Sequence, residues 1–214
     1  MTSQQFDAVL VDLGGVLTVD PWEALLLTPT EGIADRLGLD HTVVREAGRV
    51  LWNAYAREAT PEDLYWHELA EIIGAYIPPT MIAEVERNLL LATPGAQRML
   101  AFLRGADRPW GLITNNTAFW YPKQLALLGI APNELSWEFT SFGAGVTKGD
   151  TDPGLFEVAA AVLRPSQTLV IDDRAFNIVR ARRCGFQATM YGVGDEVLLS
   201  AGWQSRGSDD VEKS

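Results

Sequence analysis

The chain has 214 residues, 47% of them hydrophobic, and a formal net charge of −11. That supports a sizeable core, enough for one domain with a large insertion. The acidic balance argues against nucleic acid or an anionic membrane as a partner, and a single cysteine, Cys184, excludes an internal disulfide and a Cys-rich zinc site.

The opening Met1-Thr2-Ser3-Gln4-Gln5 is polar and is read as lacking a signal peptide. No apolar run is long enough to span a bilayer, so a cytoplasmic protein is expected. Residues 6–12 read as a buried strand ending on Asp12, followed at once by Gly14 and Gly15, which let the chain turn sharply. Residues 20–92 hold several helical segments and no convincing strand. One runs from Leu25 to Leu37 with a break near Thr28-Pro29-Thr30, and another is capped by Asp40 and passes through Val44, Leu51 and Tyr55. A third starts at Thr60-Pro61-Glu62-Asp63, with Thr60 as the N-cap, and stops at Gly74. A fourth covers Thr80 to Leu91. This block is expected to be a small all-helical insertion.

Thr93-Pro94 opens a helix through Met99 and Leu103, and from there the chain alternates. Strands are expected at Trp110–Thr114, Leu135–Thr140, Thr168–Asp172 and Gln187–Tyr191. Helices are expected at Tyr121–Leu128, Pro153–Leu163 and Ala175–Cys184. That alternation predicts an α/β fold, a Rossmann-like parallel sheet with helices on both faces. The expected division is a core of residues 1–19 and 93–202, a helical block of residues 20–92, and a polar tail from 203 to 214.

Three of these strands end in polar residues: Asp12, Thr114 with Asn115, and Asp172 with Asp173. In a parallel sheet such ends share one edge, where open α/β sheets bind ligands. Three carboxylates converging there repel unless a cation lies among them, and an all-oxygen set suits Mg²⁺.

The segments Asp12-Leu13-Gly14-Gly15-Val16-Leu17, Leu112-Ile113-Thr114-Asn115-Asn116 and Val170-Ile171-Asp172-Asp173-Arg174-Ala175-Phe176-Asn177 resemble three motifs of the haloacid dehalogenase-like hydrolase superfamily. The helical block stands where that family inserts its cap domain. The resemblance implies a Mg²⁺-dependent phosphatase acting on a small-molecule phosphomonoester through an aspartyl-phosphate. Asp12 would be the nucleophile. Asp12, the Gly14 carbonyl and Asp173, with Asp172 beside them, would hold Mg²⁺. Thr114, the amide of Asn115 and Lys148 would bind the phosphoryl group, and Asn177 would tie down the loop carrying the two acids.

The sequence departs from the family pattern twice. Gly14 stands where phosphatases of the family usually carry an Asp that protonates the leaving oxygen, and that help is typically worth roughly 10²–10⁴-fold. In the third motif, strict spacing puts Asp150 at the Lys position, with Lys148 two residues earlier. These departures support an alternative reading, a catalytically altered member with a non-hydrolytic or pathway-specific role. A metal-free 2-haloacid dehalogenase is a further alternative, opposed by the retention of both Asp172 and Asp173. Trp120 and Tyr121 are expected in the substrate pocket, and most aromatics of residues 20–92 in packing. His41 and His67 show no metal-ligand spacing. Arg174 is left open between the pocket and an acid partner.

Overall fold

The computed structural model describes residues 6–192 except Asp107 and Pro132, so the expected tail from 203 lies outside the described residues. Five parallel strands form one sheet: β1 (Ala8–Val11), β2 (Trp110–Thr114), β3 (Trp137–Thr140), β4 (Thr168–Asp172) and β5 (Gln187–Met190). Their spatial order is β3-β2-β1-β4-β5, so the chain builds outward from β1 on one side and then returns to its other side. β1, β2 and β4 are buried along their whole length, which is why they read as continuous apolar runs.

Alternate residues of these strands feed two cores. Val9, Val11, Leu112 and Ile171 point to one face, against Met99, Leu100 and Leu103 of α6 (Ala96–Gly105) and Tyr121 and Leu128 of α7 (Trp120–Leu128). Leu10, Ile113 and Val170 point to the other, against α9 (Leu155–Ala160) and α10 (Ala175–Arg183). A short helix, α8 (Ser141–Ala144), follows β3.

Between β1 and α6 come α1 (Pro21–Leu27), α2 (Ile33–Arg36), α3 (His41–Tyr55), α4 (Glu62–Ile73) and α5 (Pro79–Leu89). They enclose a third core of their own. The chain leaves and returns side by side: Val19 N donates to Leu91 O at 3.0 Å, and Thr93 N to Leu17 O at 3.0 Å. Asp40 caps α3 as expected, accepting from the amides of Thr42 and Val43. The break near Thr28 is also present, with Thr30 in the left-handed region at φ 67°.

Two local expectations need correction. The cap position of α4 is Pro61, not Thr60, and no side chain caps it; Trp66 Nε1 instead reaches back to Glu62 Oε1 at 3.1 Å. The helix expected over 153–163 is confined to α9. Asp152 lies at φ 58°, outside the right-handed region, so the helix begins only after Gly154, whose amide Glu157 accepts at 3.0 Å.

Candidate active site at the carboxyl edge of the sheet

The pairing of β1 with β4 sets Val11 opposite Ile171, so the next residues, Asp12 and Asp172, emerge together where the strand order reverses. Asp12 N continues the ladder to Ile171 O at 2.9 Å, and Asp12 Oδ1 accepts from Leu13 N at 2.7 Å. Asp172 is fully buried. Its Oδ1 accepts from Arg174 N at 2.9 Å and from Asn177 Nδ2 at 2.9 Å. Asn177 thus holds the acidic turn from the first part of α10.

Lys148 reaches the site despite its displaced position. Its Nζ lies 2.6 Å from Asp12 Oδ2 and 2.7 Å from Asp172 Oδ2, and the residue is only 1% exposed. The loop explains the reach. Asp150, at the position strict spacing assigns to Lys, points back instead: its carboxylate accepts from Thr147 N at 2.7 Å and pairs with Arg57, just beyond α3. The Arg57 guanidinium holds the Asp150 carboxyl down to about 2. Lys148 N donates to Asn115 Oδ1 at 2.9 Å, fixing the loop to the end of β2.

Asp173 lies over Gly15, where a Cβ would overlap its carboxylate, and Gly15 sits at φ 76°. One Asp173 oxygen, Oδ1, is buried with no hydrogen-bond partner. One oxygen each from Asp12, Asp172 and Asp173 lies within 4.8 Å of the others. An orphaned carboxylate oxygen beside two further carboxylates is the donor set of a hard cation such as Mg²⁺, and the residues present fit that ion. Burial raises the Asp12 carboxyl well above its ordinary value, with Lys148 pulling it down and Asp172 and Asp20 pushing it up. Burial also raises Asp173, and the charges of Asp172 and Asp20 add to that. Asp172 goes the other way, because Lys148 and its amide donors outweigh its burial.

Asp12, Asn115, Lys148 and Asn177 line a cavity of about 510 Å³. Its far wall comes from the helical block: Trp22 and Glu23 of α1, and Arg45, Arg49, Trp52 and Asn53 of α3. Thr114 does not reach this wall; it is fully buried, and its hydroxyl donates to Asn115 O at 3.2 Å. The expectation for Trp120 and Tyr121 is overturned. Trp120 is buried in the core of the helical block, where Tyr65 lies 5.1 Å away ring to ring, and its Nε1 donates to Glu86 at 2.9 Å. Tyr121 packs under the sheet and donates its hydroxyl to Glu138 at 2.5 Å. Both follow a strand end in sequence, but α7 turns them away from the cavity.

Sequence reasoning did not place Asp20. It lines the cavity beside Asp12 and pairs with Arg174, which settles the open question over that arginine: it both meets an acid and faces the cavity. His41 and His67 lie on the outside of the block, beside Asp35 at 3.1 Å and Glu71 at 3.3 Å.

Fold and site together define an α/β protein with an acidic centre at the crossover point of a parallel sheet. Residues 6–185 match the family model of the haloacid dehalogenase-like hydrolases, and the chain belongs to that family. Solved structures agree on the fold. An HAD family enzyme from Bacteroides thetaiotaomicron superposes with a TM-score of 0.67 at 15% identity, over 92% of this chain and 98% of that one. A predicted HAD-like hydrolase from Porphyromonas gingivalis gives 0.65 at 20%, over 92% and 96%. The L-2-haloacid dehalogenase of Xanthobacter autotrophicus gives 0.60 at 18%, over 91% and 81%. No curated protein sequence matches the chain. Among the described residues, no helix is long and apolar enough to cross a membrane.

Proposed function

We propose that the protein is a Mg²⁺-dependent phosphatase that hydrolyses a small-molecule phosphomonoester through an aspartyl-phosphate on Asp12. The observation that carries this reading is the cluster of the Asp12, Asp172 and Asp173 carboxylates, with one Asp173 oxygen buried and without a hydrogen-bond partner, beside the buried Lys148. A metal-free dehalogenase has no use for that second carboxylate. The Bacteroides enzyme has also been solved with magnesium and inorganic phosphate, at a TM-score of 0.65 and 17% identity.

Asp12, the Gly14 carbonyl, Asp172 and Asp173 would hold the ion. When bound, it offsets the charge of the carboxylates and of the phosphoryl oxygens. The chain's own residues do the rest. Asp12 attacks phosphorus, and Lys148 screens the nucleophile from its neighbour Asp172 while facing the incoming dianion. Asn115 presents its backbone amide at the end of β2, and Thr114 joins it if its hydroxyl turns from Asn115 O toward the ligand. Asn177 keeps Asp172 in place. The block of residues 20–92 acts as the cap that closes the cavity and selects the substrate.

Purified protein is expected to release phosphate from 4-nitrophenyl phosphate or a sugar phosphate only with Mg²⁺, and Asp12→Asn to abolish this. Turnover that survives chelation refutes the metal role. Chloride release from 2-chloropropionate without metal identifies a dehalogenase instead. Silence across both panels leaves a non-hydrolytic member of the family.

A further inference from the structure

Hydrolysis by an aspartate nucleophile needs a group that gives a proton to the departing alcohol and later takes one from water. A side chain two residues beyond Asp12 would enter the site from position 14, which is a glycine. Its backbone does not demand one: Gly15 has a positive φ, Gly14 does not. What stands in the way is Asp20. A Cβ built on Gly14 overlaps Asp20 Oδ1 and lies 3.3 Å from its Cγ. The Asp20 carboxylate therefore fills the volume that a side chain at position 14 would take.

Asp20 is brought there by the tight turn after Asp12, in which Gly15 N donates to Thr18 O at 2.7 Å. It then becomes the N-cap residue of α1, yet its side chain accepts no capping hydrogen bond. An aspartate at that position normally accepts from the first amides of the helix. Here Oδ2 is held by Arg174 instead, and Oδ1 has no hydrogen bond among the described residues. The residue lines the Asp12 cavity. Glu23 also lines the cavity, but nothing connects it to Gly14.

Resting on the phosphatase reading, we infer that Asp20 is the proton-transferring carboxylate of the reaction, supplied from position 20 in place of position 14. In the first step Asp12 bonds phosphorus, the bond from phosphorus to the leaving oxygen breaks, and the Asp20 proton passes to that oxygen to give the alcohol. In the second, water bonds phosphorus and gives its proton to Asp20, while the bond from Asp12 to phosphorus breaks and inorganic phosphate leaves. One ester and one water become one alcohol and one phosphate, and Asp20 regains in the second step the proton it gave in the first. Arg174 fixes the carboxylate's direction by holding the other oxygen.

The test compares wild type, Asp20→Asn, Asp20→Ala and the double variant Gly14→Asp/Asp20→Ala, in which truncation at position 20 frees the space, on 4-nitrophenyl phosphate, whose leaving group needs no proton, and on an alkyl phosphate, whose leaving group does. Asp20→Asn is expected to lower alkyl phosphate turnover about 10²-fold or more. It should keep a single-turnover burst of 4-nitrophenol within about 10-fold of wild type, with the phosphorylated protein accumulating on a phosphate-affinity gel. The double variant should recover about 10-fold or more of the alkyl activity, and Gly14→Asp alone should not exceed wild type, because Asp20 blocks it. Equal losses on both substrates, an unaltered alkyl rate in Asp20→Asn, or no rescue overturns the assignment while leaving the phosphatase reading intact. A wild type inactive on both esters overturns both. A readout free of turnover accompanies these: Gly14→Ala should lower the thermal midpoint in wild type but not in Asp20→Ala. Equal shifts in the two backgrounds mean that Asp20 does not fill the place.

Discussion

Lys148→Met removes one positive charge from a site that buries it between two acids. Lys148 lies 2.6 Å from Asp12 and 2.7 Å from Asp172, and the desolvation cost of burying its ammonium is offset by those two carboxylates, which leave its pKa raised. Methionine keeps most of the volume, so packing changes little. Breaking a buried ion pair by removing one partner costs about 3–5 kcal/mol. For a chain of this length about 1 kcal/mol moves the thermal midpoint by about 2–4 °C, so a drop on the order of 10 °C is expected without metal. Because one cation fewer then opposes a divalent ion, adding Mg²⁺ should raise the midpoint of Lys148→Met by more than that of wild type. Calorimetry of both proteins, with and without Mg²⁺, reads both effects. Asp12→Asn added to Lys148→Met should cost less than the sum of the single changes, since the two residues share one interaction. A drop of under about 2 °C, or an equal response to Mg²⁺, would show that Lys148 does not serve as the shared counter-ion.

Asp173→Asn should remove most of the Mg²⁺-induced rise in midpoint, measured in the same way; an unchanged rise means the ion does not use this carboxylate. Asp150→Asn tests the loop that delivers Lys148. The folded carboxyl is held down to about 2, below its ordinary 3.8, so its contribution is present above the ordinary value and is lost as pH falls through the folded one. Allowing for its partial exposure, the variant should be about 1 kcal/mol less stable at neutral pH in urea unfolding. The gap should close between about pH 4 and pH 2, and a gap that ignores pH refutes the ion pair. Trp120→Ala, at a fully buried position between α7 and the helical block, should cost about 3–5 kcal/mol, and a loss under about 1 kcal/mol would deny its anchoring role.

What was legible in the sequence is what pattern alone controls. The apolar runs before Asp12 and Asp172 predict buried parallel strands, and parallel pairing then puts both acids on one edge. Asp40 could be read as a cap because capping is local, decided by amides two and three residues on. What stayed hidden depends on residues distant in the chain. The reach of Lys148 rests on Asp150 turning toward Arg57, 93 positions away, and no spacing rule contains that pair. Trp120 follows a strand end, as a pocket residue would, but the aromatic ring cluster of α4 claims it. Asp20 was missed for another reason. It is close in sequence to Gly14, yet only the turn between them brings its carboxylate against the glycine, and turn geometry is not written in a hydrophobic pattern.

The charges of the site constrain how a substrate arrives. Asp12, Asp172 and Asp173 face one basic side chain, Lys148, which leaves two negative charges, as many as one divalent ion offsets. With that ion in place the centre is close to neutral and offers a phosphate dianion little attraction from a distance. The chain as a whole, at −11, repels it. Attraction must come from the rim, and there α3 presents Arg45 and Arg49 on one helical face. Arg49 is bound to Glu46, whereas Arg45 is exposed and has no acid partner among the described residues. Arg45→Ala should therefore raise KM several-fold at low salt and change kcat little, because the arginine acts on encounter and not on the reacting atoms. The difference from wild type should shrink as ionic strength rises past about 0.15 M, where screening extends over about 8 Å. A variant that loses kcat at unchanged KM, or whose KM defect ignores salt, would place Arg45 in the chemistry or remove it from the path of the substrate.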